Sequence, residues 1–328
     1  MKRRSVLVAL FVLVAVLGAE AQVIKLASIA PENSPFGRVL NRLSADFQEI
    51  TNGRVRLRIY HNGVQGDEQD IIRKMRIGQL QAGLFSSSGL DYVAQDFLAY
   101  SMPFLIRTDG ELDYVMEQTR SYMEQKLLDR GMRILALAPA GWLRFFARNE
   151  VVVPQDLKNQ RLAANPTQDD MLQVFKLLGF NPIPINLNET LSALNSGLID
   201  AFYTSPIIAA GYQWFALAPH MPEFRVSPYL GALVITERTW QMIPDRYKED
   251  LQEALDAAES QMRADLFDLE EQAIATMQEF GLEITEVPDS AYELWVEDFE
   301  RNFELSVGTV YSQEIFDLIQ RHLTDYRD

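Results

Sequence analysis

The chain has 328 residues, no cysteine, and 46 acidic against 30 basic residues, which gives a formal net charge of −16. The absence of cysteine excludes disulfides, thiolate metal sites and cysteine nucleophiles. The excess of negative charge opposes binding to nucleic acid or to an anionic membrane, and the length allows two domains with a sizeable core.

The first residues have the form of a secretory signal peptide. Basic residues at positions 2–4 precede an apolar run at 5–18, and 19–21 read Ala-Glu-Ala, with small residues where a signal peptidase cuts. This predicts export to the periplasm, with cleavage before Gln22. The alternative is a membrane anchor, but the apolar run is shorter than the roughly 20 residues that a spanning helix needs.

The chain after this leader opens with alternating strand and helix patterns. Apolar residues at every second position predict strands, and apolar residues three or four positions apart predict helices. In chain order these patterns predict a strand, a helix, a strand, a helix and a strand at 23–29, 36–50, 54–60, 67–77 and 80–86. This order is typical of an open α/β sheet.

A second α/β unit follows the first. Its predicted strands cover 134–140, 143–147, 161–164, 181–185, 199–203 and 230–236. Its predicted helices cover 168–178 and 189–196, and a glycine follows each of them. Because no flexible linker separates the two units, we expect two lobes joined by crossing strands, with a ligand cleft at the carboxyl ends of the strands.

The segment 245–280 contains no proline or glycine and predicts a long helix. At 1.5 Å per residue its length is about 54 Å, which exceeds a single lobe. One helix that spans both lobes and two helices joined by a kink are both compatible with this pattern.

The motifs of enzyme chemistry are absent from the sequence. His61, His220 and His322 do not stand at metal-ligand spacing, and the glycine motifs of nucleotide sites and nucleophile elbows are missing. Ser86 and Ser87 follow a predicted strand, but no base is placed to activate them, so we expect them to bind a ligand rather than attack it. These features predict a binding protein without a cofactor or a metal, and not an enzyme.

Aromatic residues concentrate near the predicted strand ends of the second unit. They are Trp142, Phe145, Phe146, Phe202, Tyr203, Tyr212, Trp214 and Phe215. Core packing is the expected role of Phe145 and Phe215. For Tyr203, Tyr212 and Trp214, which stand close to the hydroxyl of Thr204, a core role and a cleft wall are both open. Aromatic walls with a few hydroxyls suit an apolar or amphipathic small molecule.

Several segments match a known family in their order and spacing. They include 51–55 (TNGRV), 62–68 (NGVQGDE), 78–81 (GQLQ), 103–105 (PFL), Gly141, 154–158 (PQDLK), 178–180 (LGF) and 189–201 (ETLSALNSGLIDA). Through these segments the chain resembles the solute receptors of TRAP transporters, the tripartite ATP-independent periplasmic systems (the DctP family). Each motif alone is weak, and their shared order makes the resemblance specific.

The resemblance implies a bilobal α/β fold of the type II periplasmic-binding-protein class, in which a long helix bridges two lobes that close around a ligand. The predicted lobes comprise residues 22–146 with 231–265, and residues 147–230 with 266–328. The resemblance also implies a small and a large membrane subunit as partners, with an accessory periplasmic protein as a further candidate. An ion gradient, and not ATP, would then drive uptake.

One position departs from the family pattern. Members usually carry an arginine in the strand after Asp-Leu-Lys-Gly, where it pairs with a substrate carboxylate, and the matching residue here is Ala163. Arg161 stands two residues earlier, about 6–7 Å further back along the strand. Arg144 is the best substitute for orienting an anionic group, and Ser86 stands where some members place an acidic ligand residue. We therefore expect a more apolar ligand than the family's usual organic acid.

These arguments predict one set of ligand-binding residues: Ser86, Ser87, Arg144, Phe146, Asn165, Tyr203, Thr204, Tyr212 and Trp214. Three other functions stay open on the sequence alone: the binding protein of an ATP-driven transporter, an exported hydrolase on a similar scaffold, and a structural partner of another periplasmic protein. The first would have an ATPase gene beside its membrane subunits. The second would turn over its ligand, and the third would expose an apolar patch.

Overall fold

The computed structural model describes residues 21–164, 169–186, 189–301 and 303–328. Its strands are β1 (Gln22–Ser28), β2 (Val55–Tyr60), β3 (Ala82–Ser86), β4 (Met132–Ala147), β5 (Arg161–Ala164), β6 (Asn181–Pro184), β7 (Ala201–Thr204), β8 (His220–Pro222), β9 (Ser227–Thr236) and β10 (Glu283–Thr285). The predicted signal peptide, apart from Ala21, and the predicted site residue Asn165 lie outside the described residues.

The α-helices of the described residues pack on both faces of these strands. They are α1 (Pro35–Ile50), α2 (Glu68–Arg76), α3 (Ser87–Asp91), α4 (Asp109–Leu128), α5 (Pro154–Lys158), α6 (Asp169–Leu177), α7 (Thr190–Ser196), α8 (Pro206–Gly211), α9 (Glu237–Gln241), α10 (Lys248–Glu279), α11 (Asp289–Glu300), α12 (Phe303–Ser306) and α13 (Gln313–Arg327). Short 3₁₀ turns cover Gln95–Ser101, Trp214–Ala216 and Asp245–Tyr247. Among the described helices, none is both long enough and apolar enough to cross a bilayer.

The strands form a mixed sheet that consists of two parallel halves. In the first half β1 pairs parallel with β2 and β3, and in the second half β5 pairs parallel with β6 and β7. The long antiparallel strands β4 and β9 lie between the halves and give the order β2-β1-β3-β9-β4-β7-β5-β6, with β8 and β10 beside the end of β4. The predicted α/β class with two units and crossing strands is confirmed.

Strand β4 runs unbroken from the first half into the second. The sequence predicts two strands here, at 134–140 and 143–147, and this prediction is wrong because one strand covers both. Pro139 and Gly141, residues that commonly interrupt strands, lie inside it. The register against β9 shifts between Pro139 and Trp142, and Gly141 takes a φ of 102° that favours glycine. The two breakers therefore form a bulge inside one strand.

The predicted long helix is a single helix that touches the cores of both halves. Helix α10 has 32 residues, about 48 Å at 1.5 Å per residue, and it follows the 3₁₀ turn at Asp245–Tyr247. Near its start Leu251 and Leu255 are buried in the cluster that includes strand residues of the first half. Near its end Met277 joins the cluster of the second half.

The C-terminal helix returns to the first half. Helix α13 packs against α4, and Arg327 near its end donates to the Glu111 carboxylate at 2.8 Å. The predicted division places α13 with the second lobe, whereas its contacts join it to a helix of the first. The residue limits of the two lobes stay a prediction in other respects.

The centre of the largest core cluster is Trp295 of α11, which is fully buried. Its ring lies 5.2 Å from the ring of Phe224 and 5.7 Å from that of Phe145, and its indole N–H donates to the carbonyl of Val152 at 2.8 Å. The side chain therefore joins α11, β4 and the segment before α5 through apolar contact and one hydrogen bond.

We expect Trp295→Ala to lower the free energy of unfolding by about 3–5 kcal/mol, because the change leaves a large cavity and an unpaired carbonyl. The matched control is Leu294→Ala at the neighbouring, half-exposed position, where a change within about 0.5 kcal/mol is expected. Urea unfolding followed by circular dichroism measures both. Equal effects of the two substitutions would contradict the central role of Trp295.

Candidate functional site

The carboxyl end of β3 carries a polar group of side chains. Ser86 is the last residue of β3 and pairs with Gly231 of β9. Tyr229 stands two residues before Gly231 in β9, so its side chain lies on the same face of the strand as position 231. Glu68, the first residue of α2, reaches the same place. We call Glu68, Ser86 and Tyr229 the strand-end cluster.

Hydrogen bonds fix the strand-end cluster. The Glu68 carboxylate accepts the backbone N–H of Ser86 at 2.5 Å and the Ser86 hydroxyl at 2.8 Å. The Ser86 hydroxyl oxygen also accepts the N–H of Gly89 at 3.1 Å and so caps α3. A Cβ at Gly89 would lie 2.5 Å from the Glu68 carboxyl carbon, so the close approach of this carboxylate requires glycine there.

Burial changes the titration of this cluster. It raises the pKa of Glu68 above its usual value of 4.5, although the two hydrogen bonds from Ser86 act in the opposite direction. Burial also raises the pKa of Tyr229 to about 12, and the nearby Glu68 carboxylate adds to the shift. A carboxyl group and two hydroxyls can accept and donate hydrogen bonds at the carboxyl end of β3.

Ser87 does not join this cluster. Its side chain is almost fully buried, at 1% exposure, and its hydroxyl oxygen accepts the hydroxyl of Ser101 at 3.1 Å. The predicted pair of serines thus divides: Ser86 lies at the strand end, and Ser87 lies in the interior.

The predicted aromatic residues lie mainly in the core of the second half. Phe146 is fully buried and stacks on Phe202 at 4.9 Å between ring centroids, and Trp214 packs edge-on against Phe202 at 5.4 Å. Tyr212 stacks on the outer side of Trp214 and keeps 51% of its surface exposed. Of these predicted residues, Tyr212 is therefore the one that presents a large apolar surface to solvent.

Tyr203 and Thr204 end β7, at the carboxyl edge of the second parallel half. The Tyr203 hydroxyl hydrogen-bonds to the Ser227 hydroxyl at the start of β9, and its ring packs against Phe145. Thr204 pairs with Arg144 on β4 and is buried. These contacts place both residues beside the crossing strands, where Tyr203 ties β7 to β9.

Arg144 belongs to β4, and its side chain is buried close to Glu270 of α10. Its Nη1 donates to the carbonyl of Glu223, and its Nη2 lies 3.8 Å from the Glu270 carboxylate of α10. Burial lowers the pKa of Arg144, and the Glu270 carboxylate opposes that shift. Burial disfavours the charged form of Glu270 as well, and for a carboxyl group this raises the pKa. The Glu270 carboxylate also accepts the backbone N–H of Trp142 at 3.0 Å.

A cavity of about 650 Å³ opens beside Arg144. It lies between β4, α10, the start of α4 and the segment before β9, and we call it the crossing cavity. Its walls include Asp109, Trp142, Arg144, Arg225, Phe267 and Glu270. The strand-end cluster does not line it, so the structure assigns Arg144 and Ser86 to two separate places.

Sequence reasoning missed Glu68 and Tyr229. Glu68 was visible as the acid after a glycine turn, but an acid in the first turn of a helix also has an ordinary role beside the helix dipole. Tyr229 precedes the predicted strand 230–236 by one residue, and nothing local distinguishes it from other strand-end aromatics.

The family comparison identifies what the chain is similar to. The sequence profile described as bacterial extracellular solute-binding protein, family 7 (DctP), matches residues 26–305. A solute-binding protein of Chromohalobacter salexigens is 24% identical over 277 residues, 80% of this chain and 79% of the relative. The 2,3-diketo-L-gulonate-binding periplasmic protein YiaO of Escherichia coli is 23% identical over 298 residues, 87% of this chain and 88% of the relative.

A solved structure shares the fold. The TRAP periplasmic solute-binding protein of Chromohalobacter salexigens, crystallised with bound D-glucuronate, superposes with a TM-score of 0.82 at 19% identity. The superposition covers 92% of this chain and 99% of that protein. The bilobal type II architecture expected from the sequence is therefore confirmed.

The raised pKa of Glu68 predicts a pH-dependent stability difference between the wild type and Glu68→Gln, a variant that cannot titrate. A carboxyl whose pKa is higher in the folded state stabilises the fold at low pH and loses that contribution as the pH rises above 4.5. The free energy of unfolding of the wild type, minus that of the variant, should fall as the pH rises from 4.5. Urea unfolding at a series of pH values measures it.

Ser86→Ala is the matched control for this measurement. This substitution removes the hydroxyl that lowers the pKa of Glu68. When Ser86→Ala is present in both the protein with Glu68 and the Glu68→Gln variant, the difference between their free energies of unfolding should fall more steeply with pH. A difference that rises with pH would contradict the raised pKa.

Proposed function

This chain belongs to bacterial extracellular solute-binding protein family 7, and we propose that it is the periplasmic receptor of a TRAP transporter. It captures a small organic solute between its two halves and presents the solute to the membrane subunits. It acts by binding, and its solute leaves chemically unchanged.

The observation that carries this proposal is the way the halves are joined. Two parallel half-sheets meet through the continuous strands β4 and β9, and helix α10 reaches the cores of both. The carboxyl ends of β3 and β7 carry Ser86 and Thr204, on opposite halves. Ligands of open α/β sheets bind at the carboxyl ends of strands, so a solute between the halves would touch both.

The chemistry of the strand-end cluster suits a hydroxylated solute. Glu68 accepts hydrogen bonds, whereas Ser86 and Tyr229 can also donate them. Two proteins similar to this chain bind sugar acids, D-glucuronate and 2,3-diketo-L-gulonate, which carry several hydroxyls and a carboxylate. We therefore propose a small polyhydroxylated acid as the first class of solute to test.

The apolar ligand favoured by the sequence is the second class. Ala163 lies half-buried on β5 where the family pattern has an arginine. This position therefore has no guanidinium that could pair with the carboxylate of a solute. Arg144, the suggested substitute, lines the crossing cavity, which none of Glu68, Ser86 and Tyr229 lines. A carboxylate in the cleft would then be held by neutral donors, and a solute with fewer charges would lose less on binding.

Delivery requires that the membrane subunits distinguish the filled receptor from the empty one. A solute that contacts both halves stabilises the arrangement in which they lie closest, since it gains contacts in that arrangement alone. The membrane partner can then read the relative position of the halves. Residues 22–328 are accordingly expected to act in the periplasm, after removal of the leader.

The test is binding of solutes to the purified protein. We expect mass spectrometry of the denatured protein to show a co-purified small molecule, and D-glucuronate or a related acid to raise the melting temperature saturably. At 100 times the dissociation constant, the stabilisation should be about 2.7 kcal/mol. Tyr229→Phe should weaken binding about tenfold, because it removes one hydrogen bond.

Tyr326→Phe is the control, since this tyrosine is half-exposed on α13 and far along the chain from the cluster. It should leave the affinity unchanged. If no solute in the panel or in a cell extract binds, or if the bound solute is converted to a product, the receptor proposal is wrong.

A further inference from the structure

We propose that the crossing cavity is a second ligand site, which binds a small organic carboxylate with an apolar body through the guanidinium of Arg144. The site is separate from the cleft that takes the transported solute. It rests on the cavity, on the incomplete pairing of Arg144 and on the apolar side chains beside it.

The crossing cavity has the size of a small-molecule site. Its volume of about 650 Å³ lies within the range of roughly 300–1,000 Å³ that is usual for such sites. Its walls come from β4, α10, the start of α4 and Arg225. None of Glu68, Ser86 and Tyr229 lines it, so an occupant would not touch the strand-end cluster.

Arg144 has unused hydrogen-bonding capacity at this cavity. The residue is 92% buried, with 8% of its surface exposed, and its Nε has no acceptor among the described residues. One Nη donates to the Glu223 carbonyl, and the other is 3.8 Å from Glu270, too long for a hydrogen bond. A buried donor without an acceptor is costly, so an oxygen supplied by a ligand would be favoured.

The other cationic groups at the cavity are already paired. Arg225 donates to Asp109 at 2.6 Å and lies over the ring of Trp142, and Arg263 pairs with Asp113 at 2.5 Å. Glu270 accepts the N–H of Trp142. Among the cationic side chains that line the cavity, Arg144 is therefore the one whose donors are least satisfied, and a planar carboxylate matches the planar guanidinium.

The apolar part of the ligand has a wall to contact. Phe267 of α10 lines the cavity and keeps 53% of its surface exposed, and Ile274 lies two turns further along the same helix. Trp142 of β4 also lines the cavity, but its side chain is already buried. A short hydrocarbon chain against Phe267 would remove apolar surface of that side chain from water.

The position of the site links it to the joint between the halves. At the bulge in β4, a Cβ on Gly141 would lie 2.6 Å from the Glu270 carboxylate, so β4 and α10 are in close contact there. A ligand held by Arg144 and Phe267 would touch both elements. Its occupancy should therefore change the affinity of the cleft for its solute, and by the same factor in the reverse direction.

The probe is butanoate, with butan-1-ol and butylammonium as matched compounds of equal chain length. We expect saturable butanoate binding by isothermal titration calorimetry, and no binding of the other two. Arg144→Met keeps an unbranched side chain and removes the guanidinium with its charge, and it should weaken butanoate at least tenfold. Phe267→Ala should weaken it severalfold, whereas Arg238→Met, at an exposed position on α9, should have no effect.

A direct readout avoids dependence on a variant that fails to fold. In ¹³C,¹⁵N-labelled wild type, the Nε–H resonance of Arg144, assigned by triple-resonance experiments, should shift when butanoate is added. If Arg144 variants do not fold, the shift of a single buried arginine Nε–H and the loss of binding in Phe267→Ala still decide the case.

Three outcomes would overturn the proposal. They are absence of saturable butanoate binding, equal binding of butylammonium, and one-to-one competition between butanoate and the transported solute. The receptor function fails separately, since it is tested by the Tyr229→Phe effect on the transported solute, and that substitution lies outside the crossing cavity.

Discussion

The two halves of the molecule share backbone hydrogen bonds in β4, and the rest of the structure depends on this sharing. Over its first part β4 pairs with β9, and over its last part it pairs with β7. Some backbone N–H groups in this part of β4 have no strand partner, and carboxylates of α10 accept them. The Glu259 carboxylate accepts the N–H of Leu137, and the Glu270 carboxylate accepts the N–H of Trp142. Strand β4 is thus fixed by β9, β7 and helix α10, so a change in any of the three reaches the other half.

This arrangement also explains why charged groups occur near the joint. Burial raises the pKa of both Glu259 and Glu270, because removing a carboxylate from water costs free energy. The hydrogen bond that each carboxylate accepts from the backbone of β4 offsets part of this cost. Apolar residues could not satisfy the unpaired N–H groups of the strand.

Much of the fold could be predicted because its periodicities are local. The alternation in β1 and β2, the spacing in α1 and the uninterrupted run of α10 are properties of short windows. The continuity of β4 is not, since Pro139 and Gly141 break a strand unless its neighbours form a bulge there. The site was harder to predict for the same reason. Aromatic residues such as Phe146 and Trp214 occur both in cleft walls and in cores, and only long-range packing decides between the two. Arg144 was identified as the cation that would orient an anionic group in the ligand site, but the side of β4 on which it lies depends on the bulge.

The return of α13 to the first half bears on the order of assembly. Glu111 meets Arg327 across 216 residues of chain, so α4 gains this covering helix only through a contact of very long sequence separation. Such contacts form slowly, because the loop between them must close first. The docking of α13 on α4 is therefore expected to be a late folding step, and the first half completes its core only when that step has occurred.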